Sequence, residues 1–321
     1  MKKPANKPAA NAIKPRLTRA AKREMQRQAN GGRALEMRKF RKQRERDGLP
    51  QVPPSADPVN IGCSGWFYWH WRGQFYPADL PTKDWFAFYR SRMKTVEINA
   101  SFYSWPTVAN VKAWLRQAGE RNFIYTVKVC ELITHTRKFV NTKVLIRDFG
   151  VIADLLGPRF GCFLFQFPAS YRYTPARLKS ILSQLDPTRR NVVEFRHGSW
   201  WNEKVYDAFR KAGAIFCSCS APKLPDDLIC TADDLYIRFH GREKWYRYNY
   251  SNKELSDWAQ KIRASGAKRV WAYFNNDFGG YAPKNARSLE RLLAKQPARR
   301  RAATKTFPAI LHGDYVPEFR V

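Results

Sequence analysis

Residues 191–219 read NVVEFRHGSWWNEKVYDAFRKAGAIFCSC, and this stretch decides the fold class. NVVEFR (191–196) and AIFCSC (214–219) are short runs rich in β-branched and aromatic residues, as strands are, and a helical pattern over 202–212 separates them. A strand, a helix and a second strand make one unit of a parallel sheet. Working outward, the same alternation predicts strands at 59–63, 95–99, 123–129, 162–167, 234–239 and 269–275. Helices are expected at 83–92, 107–119, 138–156, 175–185, 252–264 and 283–294. Only the sixth unit lacks a helix, having APKLPDDLICTA (221–232) in its place. Eight such units over about 240 residues fit an α/β chain folded as a single (β/α)8 TIM-type barrel with an irregular sixth unit. A doubly wound open sheet is the competing arrangement.

The barrel is assigned to residues 57–296, between a basic tail (1–56) and a basic C-terminal extension (297–321). Residues 1–50 hold sixteen Lys and Arg against four acids. Too apolar-poor to fold alone, the tail is expected to be largely disordered or partly helical, with interrupted helix in TRAAKREMQRQANGGRALEMRKFRKQRERDG laid on an anionic surface. The whole chain has 58 Lys and Arg against 27 acids, a formal net charge of +31, which favours polyanionic partners: a phosphorylated small molecule or nucleic acid. Apolar runs such as FIYTVKV and GCFLFQF are far shorter than the ~20 residues of a membrane helix. No secretory signal is evident, and a cytoplasmic location is expected. The six cysteines lack C-x-x-C spacing, so disulfides are not expected, and Cys217 and Cys219 read as a buried thiol pair.

Alternation along each strand assigns faces. It turns Glu97, Asn99, Thr126, Lys128, Gln166, Glu194, Arg196, Arg238, His240, Tyr273 and Asn275 toward the barrel axis. The plain alternative for any one of them is a buried polar group satisfied by a neighbour. Six strands ending this way, on the face where strand C-termini converge, point instead to a shared site. The loops beyond add Trp66, Trp69, Trp71, Tyr103, Trp105, Trp200, Trp201, Trp245, Tyr246, Tyr248 and Tyr250, interleaved with Arg72, Arg137, Arg242, Lys244 and Arg247. Aromatic faces beside cations suit stacking on bases or sugars with phosphate neutralisation, or else pack over the barrel ends.

Seven segments occur in order: IGCSGWFYWHWRGQFYP (61–77), KTVEINASFY (94–103), VKVCELITH (127–135), GCFLFQFP (161–168), VVEFRHGSWW (192–201), LYIRFHG (235–241) and YFNNDFGGYAPKNA (273–286). Together they resemble the YecE-like family, also called the domain of unknown function 72 family. The resemblance covers about residues 60 to 294 and implies a β/α barrel, without an established activity. Cys63 and Cys130 stand where the family has Thr and small residues.

The candidate catalytic residues are Glu97, Glu194 and His240. Candidate substrate-binding residues are Asn99, Lys128, His135, Gln166, Arg196, His197, Arg238, Tyr246, Asn275, Asn276, Trp66 and Tyr103. Lys128, Arg196 and Arg238 would clamp a phosphate, His240 would move a proton, and a glutamate would orient water for phosphoester hydrolysis. Glu97 and Glu194 could instead serve as a glycosidase pair at a separation of roughly 5 to 9.5 Å, although neighbouring cations disfavour a protonated acid. No cofactor is firmly implied; one divalent metal on Glu97, Glu194 and His240 is conceivable. The rival from another class is a non-enzymatic nucleic-acid binder, the tail giving affinity and the aromatic mouth holding a base.

Overall fold

The computed structural model describes residues 18–48 and 58–294. Its eight strands are β1 (Val59–Ser64), β2 (Thr95–Ile98), β3 (Ile124–Lys128), β4 (Phe160–Gln166), β5 (Asn191–Glu194), β6 (Ile215–Ser220), β7 (Asp234–Phe239) and β8 (Arg269–Phe274). They lie side by side in chain order, all parallel, and β1 closes the ring on β8. Closure excludes the open doubly wound sheet and leaves no strand edge unpaired. The helices are α1 (Arg19–Arg46), α2 (Trp85–Arg92), α3 (Ala100–Tyr103), α4 (Val108–Ala118), α5 (Lys143–Leu156), α6 (Pro175–Leu182), α7 (Glu203–Ala212), α8 (Asn252–Ala264) and α9 (Tyr281–Ala294). Local chemistry starts them: reciprocal capping boxes pair Thr107 with Asn110 at α4 and Ser251 with Glu254 at α8. Thr174 caps α6 ahead of Pro175, a residue whose missing N–H costs nothing in the first turn.

Strand alternation sorts the apolar side chains into two layers. Val96, Ile98, Tyr125, Val127, Ile237 and Phe239 pack outward beneath the helices. Ile124, Leu164, Val192, Ile215, Tyr236, Trp271 and Tyr273 fill the lumen below the mouth. The alternation breaks once, where β4 slips against β3 between Tyr125 and Val127. At this bulge Gly161 turns inward as Cys162 does, and a Cβ there would lie 2.7 Å from Thr126 Oγ1 and 2.9 Å from the Trp271 ring.

As expected, no helix joins β6 to β7. Hydroxyls pin that segment instead: Ile229 N–H donates to Ser218 Oγ (2.8 Å), and Thr231 Oγ1 donates to the Ala214 carbonyl (2.7 Å) while accepting from Phe216 N–H (2.9 Å). The helix expected from residue 138 begins only at Lys143. A π-helical turn (Leu132–Thr136) precedes it, and Lys138, Phe139 and Asn141 take positive φ. That bend drives Phe139 into the outer core against Phe165 and Phe167.

The tail also differs from its expectation over Arg19–Arg46, which forms one uninterrupted 28-residue helix lying on the barrel itself. No break occurs at Asn30-Gly31-Gly32. Asn30 is buried there, its amide oxygen accepting from Trp105 N–H (2.8 Å) and its Nδ2 facing the Tyr103 carbonyl (3.3 Å). Ala34 and Met37 are buried beneath the helix. The anionic surface it meets is internal: Asp148 on α5 accepts from Arg38 Nε (2.8 Å) and Arg41 Nε (2.9 Å), and Glu131 accepts from Arg23 (2.6 Å). The calls on residues 1–17, 49–57 and 295–321 lie outside the described residues.

Candidate functional site

Glu97 near the end of β2, Glu194 at the end of β5 and Arg238 near the end of β7 meet on the barrel axis, all fully buried. Arg238 Nη2 donates to Glu97 Oε1 (2.5 Å) and Nη1 to Glu194 Oε2 (2.6 Å). Ser64 Oγ also donates to Glu97 Oε1 (2.6 Å), and the Tyr236 hydroxyl to Oε2 (2.5 Å). Burial first, then the charge of Glu97, holds the Tyr236 phenol well above its ordinary range, so it remains a donor. Glu194 Oε1 accepts from Arg196 Nε. Glu194 is held well below the usual carboxylate range: burial opposes ionisation, and Arg196, Arg238 and His240 outweigh it.

His240 continues the network upward. Its Nε2 lies 3.2 Å from Glu194 Oε1, and its Nδ1 lies 3.2 Å from Asn275 Nδ2. An Nε2–H tautomer fits these two contacts, donating to the carboxylate and accepting from the amide, and leaves the 3.2 Å approach of Arg196 Nη2 to Nε2 without a hydrogen bond. Burial first, then the Arg196 charge, keeps the imidazole neutral, well below its ordinary pKa. After His240 the chain turns at Gly241, where φ is 104° and a Cβ would fall 2.5 Å from the Lys244 carbonyl. The turn lays Trp245 and Tyr246 over the imidazole, at ring separations of 5.3 and 6.1 Å. Arg196 stacks on Trp245 at 4.5 Å.

Lys128 closes the mouth from the β3 side. It is half-buried, its ammonium 4.2 Å from the centre of the Phe102 ring. Burial first, then Arg238, pull its pKa down to about 7; Arg196 adds to this, while Glu194 and Glu97 oppose it. His135, on the π turn, packs edge-on against the same Phe102 ring at 4.9 Å. Burial, then Lys128 and Arg196, lower its pKa to about 4. Gln166 on β4 stands beside Glu194 in register and donates to the Phe167 carbonyl (2.6 Å). Asn99 donates to the Ser64 carbonyl (3.1 Å), and its buried Oδ1 has no partner among the described residues.

Four expected residues lie elsewhere. His197 holds its own short turn, Nδ1 accepting from Ser199 N–H (3.1 Å). Asn276 follows Asn275 but points the other way, bonding the Tyr248 carbonyl and Asn285. Trp66 packs on Phe86, and half-exposed Tyr103 lies under Arg23 of α1. Conversely, Ser64, Tyr236 and Trp245 belong to the network but were not among the candidates. Ser64 and Tyr236 share the inward parity of Gly62 and Arg238, so alternation could have found them.

The proposed Glu97–Glu194–His240 metal set does not fit, because the Glu97 oxygens are taken by Arg238, Ser64 and Tyr236. Glu194, Cys219 and His240 each offer a donor atom within 4.8 Å of the others. Arg196, however, already contacts Glu194 Oε1 and His240 Nε2, so a guanidinium occupies the place of a cation. Cys217 and Cys219 are free thiols facing the lumen, their sulfurs 3.9 Å apart.

Comparison with known proteins gives a consistent result. A family model described as a protein of unknown function, DUF72, matches residues 60–309. The UPF0759 protein YunF of Bacillus subtilis is 27% identical over 271 residues, covering 73% of this chain and 94% of the relative. A crystal structure of a DUF72 family protein from Thermotoga maritima superposes with a TM-score of 0.68 at 27% identity, covering 74% of this chain and all of the other. One from Enterococcus faecalis gives 0.64 at 19% identity, covering 75% and 97%.

Proposed function

The chain belongs to the DUF72 family, whose function is unknown, and from that premise we propose that its barrel mouth is the site of an enzyme acting on a small phosphorylated molecule. One observation carries this reading. In the mouth two carboxylates face the two guanidiniums of Arg196 and Arg238, so the half-buried Lys128 ammonium is left without an ionic partner of its own among the described residues. A partly desolvated, uncompensated cation beside an arginine attracts an anion strongly.

The same geometry favours phosphate as the handle of the ligand over phosphate as the bond that breaks. Hydrolysis would need a carboxylate free to orient water, and the oxygens of Glu97 and Glu194 are committed to Arg238, Arg196, Ser64 and Tyr236. The glycosidase alternative needs a protonated acid, a role that Glu194 cannot fill from below the usual carboxylate range. Nucleic acid is supported as a second class of partner by the exposed cations Lys22, Lys39, Lys42 and Arg46 on α1.

Calorimetric titration with sulfate, which carries the same charge throughout the range, tests the reading. A bound anion raises the Lys128 pKa above its free value of about 7. Affinity is then full below pH 7 and falls as pH rises, by up to about tenfold per unit, with proton uptake on binding. Arg196→Met lowers affinity by at least about tenfold. Binding indifferent to pH and to Arg196 would refute the assignment.

A further inference from the structure

The placement of Lys128 has a chemical consequence beyond anion binding. We propose that Lys128 is an amine nucleophile that forms an imine with the carbonyl carbon of a phosphorylated aldehyde or ketone. The inference rests on the anion-binding reading of the mouth, and it names the substrate class of that site.

Four observations carry it. Lys128 is the last residue of β3, at the mouth where the strand C-termini of a β/α barrel present their reactive groups. Its Nζ lies against the face of Phe102 and makes no ion pair with a described residue, so no carboxylate holds its proton in place. The positive charges of Arg238 and Arg196 stand across the lumen from it; desolvation beside other cations is the circumstance that activates a lysine amine. With a pKa of about 7, a large share of the side chain is the free amine at neutral pH. Finally, a proton carrier is at hand. His135 packs on the same Phe102 ring, its Nδ1 lies 2.9 Å from Thr134 Oγ1, and its Nε2 has no partner among the described residues. Its low pKa keeps it neutral. It also lines a groove of about 500 Å³ between α1 and the π turn.

The step balances without a cofactor. The Nζ lone pair attacks the carbonyl carbon, the C–N bond forms, and the C=O π pair moves to oxygen, which takes a proton. Nitrogen loses a proton, the oxygen leaves as water, and protonation of the C=N bond gives the iminium; one proton is consumed overall. His135 relays these protons, while Arg196 holds the phosphate. Asn275 and Glu194 fix Arg196 and His240 in place.

Reductive trapping tests this on the full chain. Dihydroxyacetone phosphate and cyanoborohydride are added, and the modified lysine is located by peptide mass spectrometry. Lys128 should be labelled at least about tenfold faster than any surface lysine, because burial and neighbouring cations pull its pKa down to about 7. Inorganic phosphate should slow the labelling, and dihydroxyacetone without phosphate should label Lys128 more slowly. At saturating ketone phosphate, whose bound anion raises the Lys128 pKa, the rate should rise as pH climbs beyond 7, opposite to the trend for sulfate binding. Lys128→Arg should keep phosphate binding by calorimetry and lose the label. Labelling scattered over surface lysines, while phosphate still binds at Arg196, would overturn the nucleophile and leave the anion site standing. Equal labelling of Lys128 by both ketones, with no protection by phosphate, would overturn the phosphorylated substrate and the anion reading with it.

Discussion

Arg238 is the residue on which the mouth depends. It is fully buried between two carboxylates that, among the described residues, have no other full-charge partner except Arg196 on Glu194. Breaking such a set from one side leaves uncompensated buried charge, which costs far more than the pair contributes. Arg238→Met should therefore lower stability by about 3–5 kcal/mol in urea unfolding. Adding Glu97→Gln and Glu194→Gln to that variant should recover part of the loss; a loss below about 1 kcal/mol in the single variant would mean the ions are not paired in solution. Glu97, Glu194 and Arg238 were legible in the sequence because strand alternation has a strict period of two and a closed ring sends every inward chain to one axis. The directions of Trp66 and Tyr103 were not, because Trp66 sits in a loop and Tyr103 ends the single turn of α3, too short for a periodicity to report direction. The neutral state of His240 and the low pKa of Lys128 were equally hidden, since both come from neighbours on other strands.

At the scale of elements, the strands and most helices followed from pattern, and the exceptions have local causes. The slip between β3 and β4 depends on which ring fills the lumen beside Gly161, a contact over a hundred residues away in the chain at Trp271. Helix α1 is the larger surprise. Its composition suggested a solvated tail, and its docking depends on acids distant in sequence, Asp148 and Glu131. Asp148 is fully buried where Arg38 and Arg41 of the helix bind it. Ion pairs carry much of this interface, with Ala34, Met37 and Phe40 giving modest apolar burial. Arg38→Ala with Arg41→Ala should thus release α1 and speed tryptic cleavage within it by about tenfold or more, with the barrel left intact. Unchanged cleavage would show that the arginines do not hold the helix. Raised salt should act in the same direction on the wild-type chain.

For the whole molecule, the net charge of +31 set the expectation of an anionic partner, and the structure divides that charge between two places. The outward face of α1 offers scattered, solvated lysines that bind polyanions loosely and with steep dependence on salt. The mouth offers Lys128 and Arg196, few in number but half-buried. Among the described residues no helix is long and apolar enough to cross a membrane. A crystal grown with tungstate, a heavy and easily located analogue of phosphate, would test most directly whether the mouth is the anion site. The account predicts tungstate within hydrogen-bonding distance of both Lys128 Nζ and Arg196, with Arg238 still joined to Glu97 and Glu194. Tungstate found on the outer lysines of α1 and absent from the mouth would contradict it.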